Sequence, residues 1–136
     1  MSLCLVANWK LNGSIAFNTQ WALEFLRNFN GNNFSSLGIA PPSLYIDHIK
    51  TVLAGHEIMI GSQNIDLEQK GARTGEISAY MIKDLGCSFS IVGHSERRLM
   101  FHETNQMICQ KLIQANNNCI IPILCIGESA EENQSN

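Results

Sequence analysis

Phe89-Ser90-Ile91-Val92-Gly93-His94-Ser95-Glu96-Arg97-Arg98 joins two textures within ten residues. Phe89–Val92 is a short, mostly apolar run, the pattern of a strand covered on both faces. Gly93 then lets the backbone turn tightly. Ser95-Glu96-Arg97-Arg98 reads as a new helical turn. A strand running through a tight junction into a helix is a βα unit.

The same texture recurs on either side. Leu3–Ala7, Leu37–Ala40, Ile58–Ile60 and Ile120–Ile126 read as further strands. Pro122 counts against the last of these, because proline cannot donate to a ladder; the run is kept with Pro122 near its start. Helical spacing lies between the runs. Ala22, Phe25, Leu26 and Phe29 follow i, i+3, i+4, i+7, with Ser14 as N-cap upstream and Asn30-Gly31 as the stop. Ser43 caps a second helix with Ile46, Ile49 and Leu53 on one face, ending at Gly55. A third runs from about Ser78 to Leu85 with Met81, Ile82 and Leu85 inward, closed by Gly86. A fourth starts near Thr104, buries Ile108, Leu112 and Ala115, and frays in Asn116-Asn117-Asn118. The order is β-α-β-α-β-α-β-α-β, with strand starts roughly 20–35 residues apart, the size of a βα unit. Parallel pairing with right-handed crossovers follows. No Gly/Ser linker or composition shift interrupts the chain, which predicts one structural unit over 1–136. The polar segment 129–136 is long enough only to begin a fifth helix.

Composition narrows the function classes. The chain has 136 residues, 9 Lys plus Arg against 12 Asp plus Glu, and 45% hydrophobic residues, an ordinary globular mix. Mild acidity and the absence of a basic run argue against nucleic acid. No stretch approaches the roughly 18 apolar residues of a membrane span, and Met1-Ser2-Leu3-Cys4 does not resemble a secretion signal. The five cysteines, Cys4, Cys87, Cys109, Cys119 and Cys125, form no C-x-x-C pair, so neither a metal site nor a disulfide framework is expected, and a reducing cytoplasm is the simplest compartment. Three Asn-x-Ser matches, at Asn12, Asn33 and Asn133, are read as coincidental.

In parallel α/β folds, ligands gather at the carboxyl ends of the strands. Those ends carry Asn8-Trp9-Lys10-Leu11-Asn12-Gly13, Gln63-Asn64, Gly93-His94-Ser95-Glu96 and Gly127-Glu128. An amide, an ammonium, an imidazole and carboxylates are therefore expected on one rim. Lys10 suits a phosphate or an oxyanion; the bland alternative is a solvated charge at an element boundary. His94 would face the positive end of a helix dipole, which favours a neutral, hydrogen-bond-donating imidazole; its bland alternative is a loop histidine satisfied by neighbours. Gly93-His94-Ser95-Glu96-Arg97 lacks the last glycine of a hydrolase nucleophile elbow, so Ser95 is read as a capping residue rather than a nucleophile. Glu96-Arg97-Arg98, wedged before Leu99-Met100-Phe101, is expected to be partly buried and paired. Gly71-Ala72-Arg73-Thr74-Gly75-Glu76, with glycines on both sides of a polar tip, reads on its own as a mobile loop, with a binding role as the alternative. His48, His56 and His102 are expected at the surface; Trp21 and the helix phenylalanines in the core.

These blocks together resemble triosephosphate isomerases. Asn8–Gly13 resembles the family's first-strand motif and Ile91–Arg98 its fourth-strand signature. Gly71–Ser78 is similar to its dimer loop, and Cys125-Ile126-Gly127-Glu128-Ser129 to the end of its fifth strand. Four blocks stand in family order with family-like spacing, over about the first half of the family's length. The resemblance implies a (β/α)8 TIM barrel, here its first five strands and four helices; a complete barrel takes roughly 200–250 residues or more. It implies interconversion of dihydroxyacetone phosphate and glyceraldehyde 3-phosphate through an enediolate, in glycolysis and gluconeogenesis. Asn8 and Lys10 would contact this small phosphorylated triose. His94 would be the neutral electrophile; the family is itself the standard illustration of such an imidazole, so this and the dipole reasoning are one observation rather than two. Glu96, Ser95 and Cys125 would support the site. Thr74 would be the loop tip that enters a partner's site in a homodimer, with Gln63, Glu76 and Arg97 as interface and loop-anchoring residues. No metal, organic cofactor, nucleic acid or membrane is implied.

Departures from the family bear on activity. Its general base is a glutamate in a segment like A-Y-E-P-V-W, which this sequence lacks, together with the lid loop and the late glycine-rich phosphate turns. Proton abstraction needs hydrogen-bond reach to the substrate, so Glu96 or Glu128 is no substitute. Ala7, where the family often has glycine, is a small change. The chain alone is therefore expected to be inactive. Two alternatives remain: an open flavodoxin-like binding domain with strand order 2-1-3-4-5, or a non-catalytic half-barrel with a structural or partner-binding role.

Overall fold

The computed structural model describes residues 4–29 and 36–128. Five strands, β1 (Cys4–Asn8), β2 (Ser36–Ala40), β3 (Met59–Ser62), β4 (Phe89–Val92) and β5 (Ile121–Leu124), form one parallel sheet in the order β1-β2-β3-β4-β5. Sequential neighbours throughout are the staves of a barrel. The flavodoxin-like alternative required β1 inside the sheet and is overturned. The chain forms the first part of a TIM barrel, and β1 and β5 flank the sheet.

The helices are α1 (Ile15–Asn28), α2 (Ile46–Val52), α3 (Ala79–Asp84), α4 (Ser95–Met100) and α5 (Asn105–Asn117), with a 3-10 turn at Ser43–Tyr45 ahead of α2. Three start as the sequence signals: the hydroxyls of Ser14, Ser78 and Thr104 accept from the backbone N–H groups of Phe17, Met81 and Met107. Gly86, at φ 76°, ends α3 in a conformation glycine adopts at least cost. Strand start Leu3, the Asn30-Gly31 stop, Asn33, and the segment from Ser129 to Asn136 lie outside the described residues.

Several local expectations change. The turn after β4 is a helix in its own right, so among the described residues the four expected helices become five. β3 runs two residues further than Ile60, because Gly61 and Ser62 pair with Phe89 and Ser90 rather than ending the strand. In α3 the inward residues are Ala79 and Ile82, while Met81 and Leu85 are exposed; the short helix presents only one i, i+3 pair to the sheet. Phe25 and Phe29 are only half-buried, Phe25 stacking on Trp21 and Phe29 on Phe25, and Phe17 is exposed. His48 is also half-buried, with Nε2 3.0 Å from the Thr19 hydroxyl. Pro122 sits second in β5. Ile121 and Cys125 donate to Ser88 and Val92 of the β4 side, so the opposite-parity Pro122 turns its nitrogen to the open edge, where no donor is needed.

The core has two layers. Ile39, Ile60 and Val92 on the outer face pack with Ile46, Ile49, Leu53, Ile82, Ile108 and Ala115 of the helices. On the inner face Ala40, Phe89 and Ile91 gather Val6, Met59, Ile123 and Cys125. Phe89 organises that face: a Cβ on Gly61 would lie 2.5 Å from its ring, and one on Gly38 2.8 Å. Two glycines on adjacent strands thus make the seat for one aromatic ring. Among the described residues no helix is long and apolar enough to cross a membrane.

Candidate active site

The carboxyl end of β1 continues into a loop held by its own polar groups. Lys10 is left-handed, at φ 53°, a conformation that needs support in a residue with a Cβ. Its N–H donates to Asn8 Oδ1 at 3.0 Å, and its carbonyl accepts from Gln63 Nε2 at 3.0 Å. Gln63 also donates to the Ala40 carbonyl at 2.9 Å, joining the ends of β1, β2 and β3. Asn12 Nδ2 donates to the Trp9 carbonyl, and Trp9 N–H to Ala40. The strained backbone is thereby fixed from both sides, and the Lys10 ammonium is delivered to the rim.

The end of β4 delivers the partner. His94, with φ −55° and ψ 143°, precedes α4 and is its cap, so the capping role expected of Ser95 falls to its neighbour; Ser95 is the first, exposed residue of the helix. His94 Nδ1 lies 3.2 Å from the Glu96 backbone nitrogen and 3.5 Å from Glu96 Oε2. One ring nitrogen cannot accept from the N–H and donate to the carboxylate at once. The shorter contact makes Nδ1 an acceptor, and the neutral ring then carries its proton on Nε2. Glu96 Oε1 receives Lys10 Nζ at 2.6 Å. The hydrogen bond from Lys10 holds the Glu96 carboxyl below its ordinary range, against a smaller effect of burial.

Lys10, Gln63, His94, Glu96 and the Asn8 amide are thus brought together. Cys125, half-buried against the inner apolar cluster, donates its N–H to Val92, and burial raises its thiol pKa although Arg98 opposes this. Glu128 is exposed beyond β5. Thr74 and Glu76 stand in an exposed loop between β3 and α3. The loop is closed at its base by Asp66 N–H to the Ile77 carbonyl, and Arg73 Nε reaches Asp66 Oδ1 at 2.6 Å.

Arg97 turns away from the rim. Its Nε donates to Glu103 Oε1 at 2.5 Å, the same oxygen that takes Lys111 Nζ at 2.5 Å. Lys111 also donates to Asn64 Oδ1 at 2.7 Å. Arg97 is therefore partly buried and paired, as expected of it, but Glu103 and Lys111 were not anticipated. Lys111 stands on the stripe Ile108, Lys111, Leu112, Ala115, spaced i, i+3, i+4, i+7; a lysine on an apolar stripe is the signal that points to it. Burial works against the Glu103 charge, but hydrogen bonds from Lys111 and Arg97 outweigh it and lower the carboxyl. The same burial lowers Lys111, which Glu103 opposes. With two cations on one oxygen, the carboxylate is the better-stabilised charge of the pair. Among the described residues, no group of three or more His, Cys, Asp or Glu gathers as a metal site.

A family model described as triosephosphate isomerase matches residues 3–136. The chain is 46% identical over 132 residues to the triosephosphate isomerase of Baumannia cicadellinicola subsp. Homalodisca coagulata, covering 96% of this chain and 51% of that protein. It is 40% identical over 131 residues to that of Histophilus somni, with the same coverages. The enzyme of Salmonella typhimurium is 41% identical over 131 residues. The chain spans about half the length of the curated relatives it matches.

Proposed function

The chain belongs to the triosephosphate isomerase family, and on that premise we propose that it supplies the electrophilic half of an isomerase site for dihydroxyacetone phosphate and glyceraldehyde 3-phosphate. The apposition of Lys10, Glu96 and His94 carries this reading. As a proton passes from one substrate carbon to its neighbour, charge develops on the carbonyl oxygens. His94 Nε2–H donates to that oxygen, and the Lys10 ammonium offsets charge on the enediolate and the phosphate. Asn8, whose amide oxygen is engaged by the Lys10 N–H, offers its amide nitrogen to the substrate. Glu96 holds Lys10 at the rim, and Ser95 and Cys125 complete the surroundings. The carbon acid still needs a base, and the sequence holds no A-Y-E-P-V-W-like segment. Residues 1–136 are one partial-barrel domain that does not turn over by itself. An isomerase assay coupled to a dehydrogenase tests this: background activity is expected, and turnover approaching that of a complete enzyme refutes it.

Two further readings go with it. The chain acts in the cytoplasm, which suits the unpaired thiols of Cys4, Cys87, Cys109, Cys119 and Cys125. The completed protein is a homodimer, with the Thr74 loop entering the partner's site, and with Gln63, Glu76 and Arg97 anchoring loops near the interface. The exposed Leu99 and Met100 in the last turn of α4, with Phe101 just after it, support an interface at this end of the sheet. Sedimentation of a completed protein as a dimer, lost on replacing the loop 71–76, is the expected result; a monomer refutes it.

A further inference from the structure

We propose that Asn64, Lys111 and Glu103 are positioning residues that brace α4 from behind and so set where His94 and Glu96 stand relative to Lys10. The inference rests on the reading of His94 as the electrophile and goes beyond it by naming what holds that residue in place.

The need for a brace comes from α4 itself. It has six residues, none of them buried, so apolar packing does not fix it. The contact at its front, Lys10 with Glu96, joins side chains that are 51% and 46% exposed, and such pairs are weak in water. Yet α4 carries both the His94 cap and the Glu96 N–H on which the ring's orientation depends.

The polar contacts behind α4 meet that need. Arg97 Nε donates to Glu103 Oε1, and the Glu103 N–H returns to the Arg97 carbonyl at 3.3 Å. Arg98 donates to the Gly93 carbonyl at 2.9 Å and to Asn105 Oδ1 at 2.7 Å, so two successive arginines tie the helix to both of its flanking loops. Glu103 is held in turn by Lys111 of α5, and Lys111 by Asn64. Asn64 follows Gln63, which holds the Lys10 carbonyl. The contacts close a ring: from the Lys10 backbone through Gln63 and Asn64 to Lys111, Glu103 and Arg97, then along α4 to Glu96, and back to Lys10 Nζ. One arc is exposed and reaches the reactive groups; the other runs through Lys111 and Glu103, 3% and 5% exposed. In that low-dielectric arc the charged hydrogen bonds are directional and resist displacement. A buried ion cluster is a poor source of stability compared with packed apolar side chains, which points to geometry as its use.

The test reads His94 directly in the 136-residue chain. Imidazole nitrogen shifts of the 15N-labelled chain report whether Nδ1 is the accepting nitrogen, and circular dichroism reports helix content. Glu103→Gln and Asn64→Ala are each expected to keep the helices while the His94 Nδ1 resonance moves off the accepting position toward a tautomer average. A melting temperature that falls with the His94 spectrum unchanged overturns the proposal, because the cluster then serves stability alone. Should Glu103→Gln unfold the chain, Asn64→Ala decides; should that unfold too, the proposal falls for the same reason. The functional reading fails separately. A His94 spectrum that shifts as expected, in a chain whose completed form lacks isomerase activity, leaves the brace standing and removes the reaction.

Discussion

Lys10 Nζ and Glu96 Oε1 lie 2.6 Å apart, although the residues are separated by 86 positions in the chain. The contact ties the loop after β1 to the helix after β4, across two intervening strands. It is also the largest cause of the lowered Glu96 pKa. Lys10→Met should therefore return the Glu96 carboxyl toward the ordinary 4.5, as read by carbon NMR titration of the carboxyl. The melting temperature should hardly move, because water screens both partners. An unmoved Glu96 titration shows that the pair does not persist in solution.

Gly61 and Phe89 make a second prediction, about the inner face. A Cβ at Gly61 meets three carbons of the Phe89 ring within 2.6 Å. The ring is 1% exposed and has nowhere to retreat. Gly61→Ala should destabilise the chain by about 1–3 kcal/mol, the usual cost of overpacking. Phe89→Leu alone leaves space and also destabilises. Combined, the two should cost less than their sum, a coupling that urea unfolding of the four chains measures. Strict additivity excludes the contact.

How far the sequence reveals the site follows from which patterns carry periodicity. Lys10 and His94 end apolar runs at glycine-marked junctions, so their place on one rim is readable from strand position alone. Glu103 lies in the short connection between α4 and α5, where a single charge attracts no notice. Lys111 breaks the apolar stripe of α5, and Asn18, fully buried in α1, breaks the stripe Asn18, Trp21, Ala22, Phe25 in the same way. Polar residues at inward positions are informative because burying them is costly. The exposure of Met81 was unreadable for another reason: a helix of six residues is too short for its spacing to choose a face.

The cysteines should separate by reactivity. Burial pushes the Cys87 thiol up to about 11, with Lys50 opposing only weakly, so it is protonated and covered at pH ~8. Cys4, Cys109 and Cys119 are exposed and Cys125 is half-buried. Iodoacetamide at pH ~8 should label the three exposed thiols first, Cys125 slowly, and Cys87 only on unfolding; mass spectrometry of the digested chain counts them. Labelling of Cys87 at the rate of Cys119 contradicts its place in the core.

Asp66 gives the pH prediction. Its side chain is 5% exposed, and burial alone would raise its pKa. Hydrogen bonds from Arg73 and from the Glu68 N–H, at 2.7 Å, outweigh burial and lower it below the ordinary 3.8. A carboxyl lowered by folding stabilises the folded state fully above its unfolded pKa, and that contribution disappears as pH falls through the folded value. The wild-type chain should thus exceed Asp66→Asn in urea midpoint by a constant margin from pH ~7 down to about pH 5, and the margin should shrink below about pH 4. The loop carrying Thr74 is anchored by this same residue, so amide protection at 71–76, measured relative to the intrinsic exchange rate at each pH, should fall over the same acid range. A margin that grows on acidification reverses the sign required by a lowered carboxyl, and would place Asp66 outside the contact with Arg73.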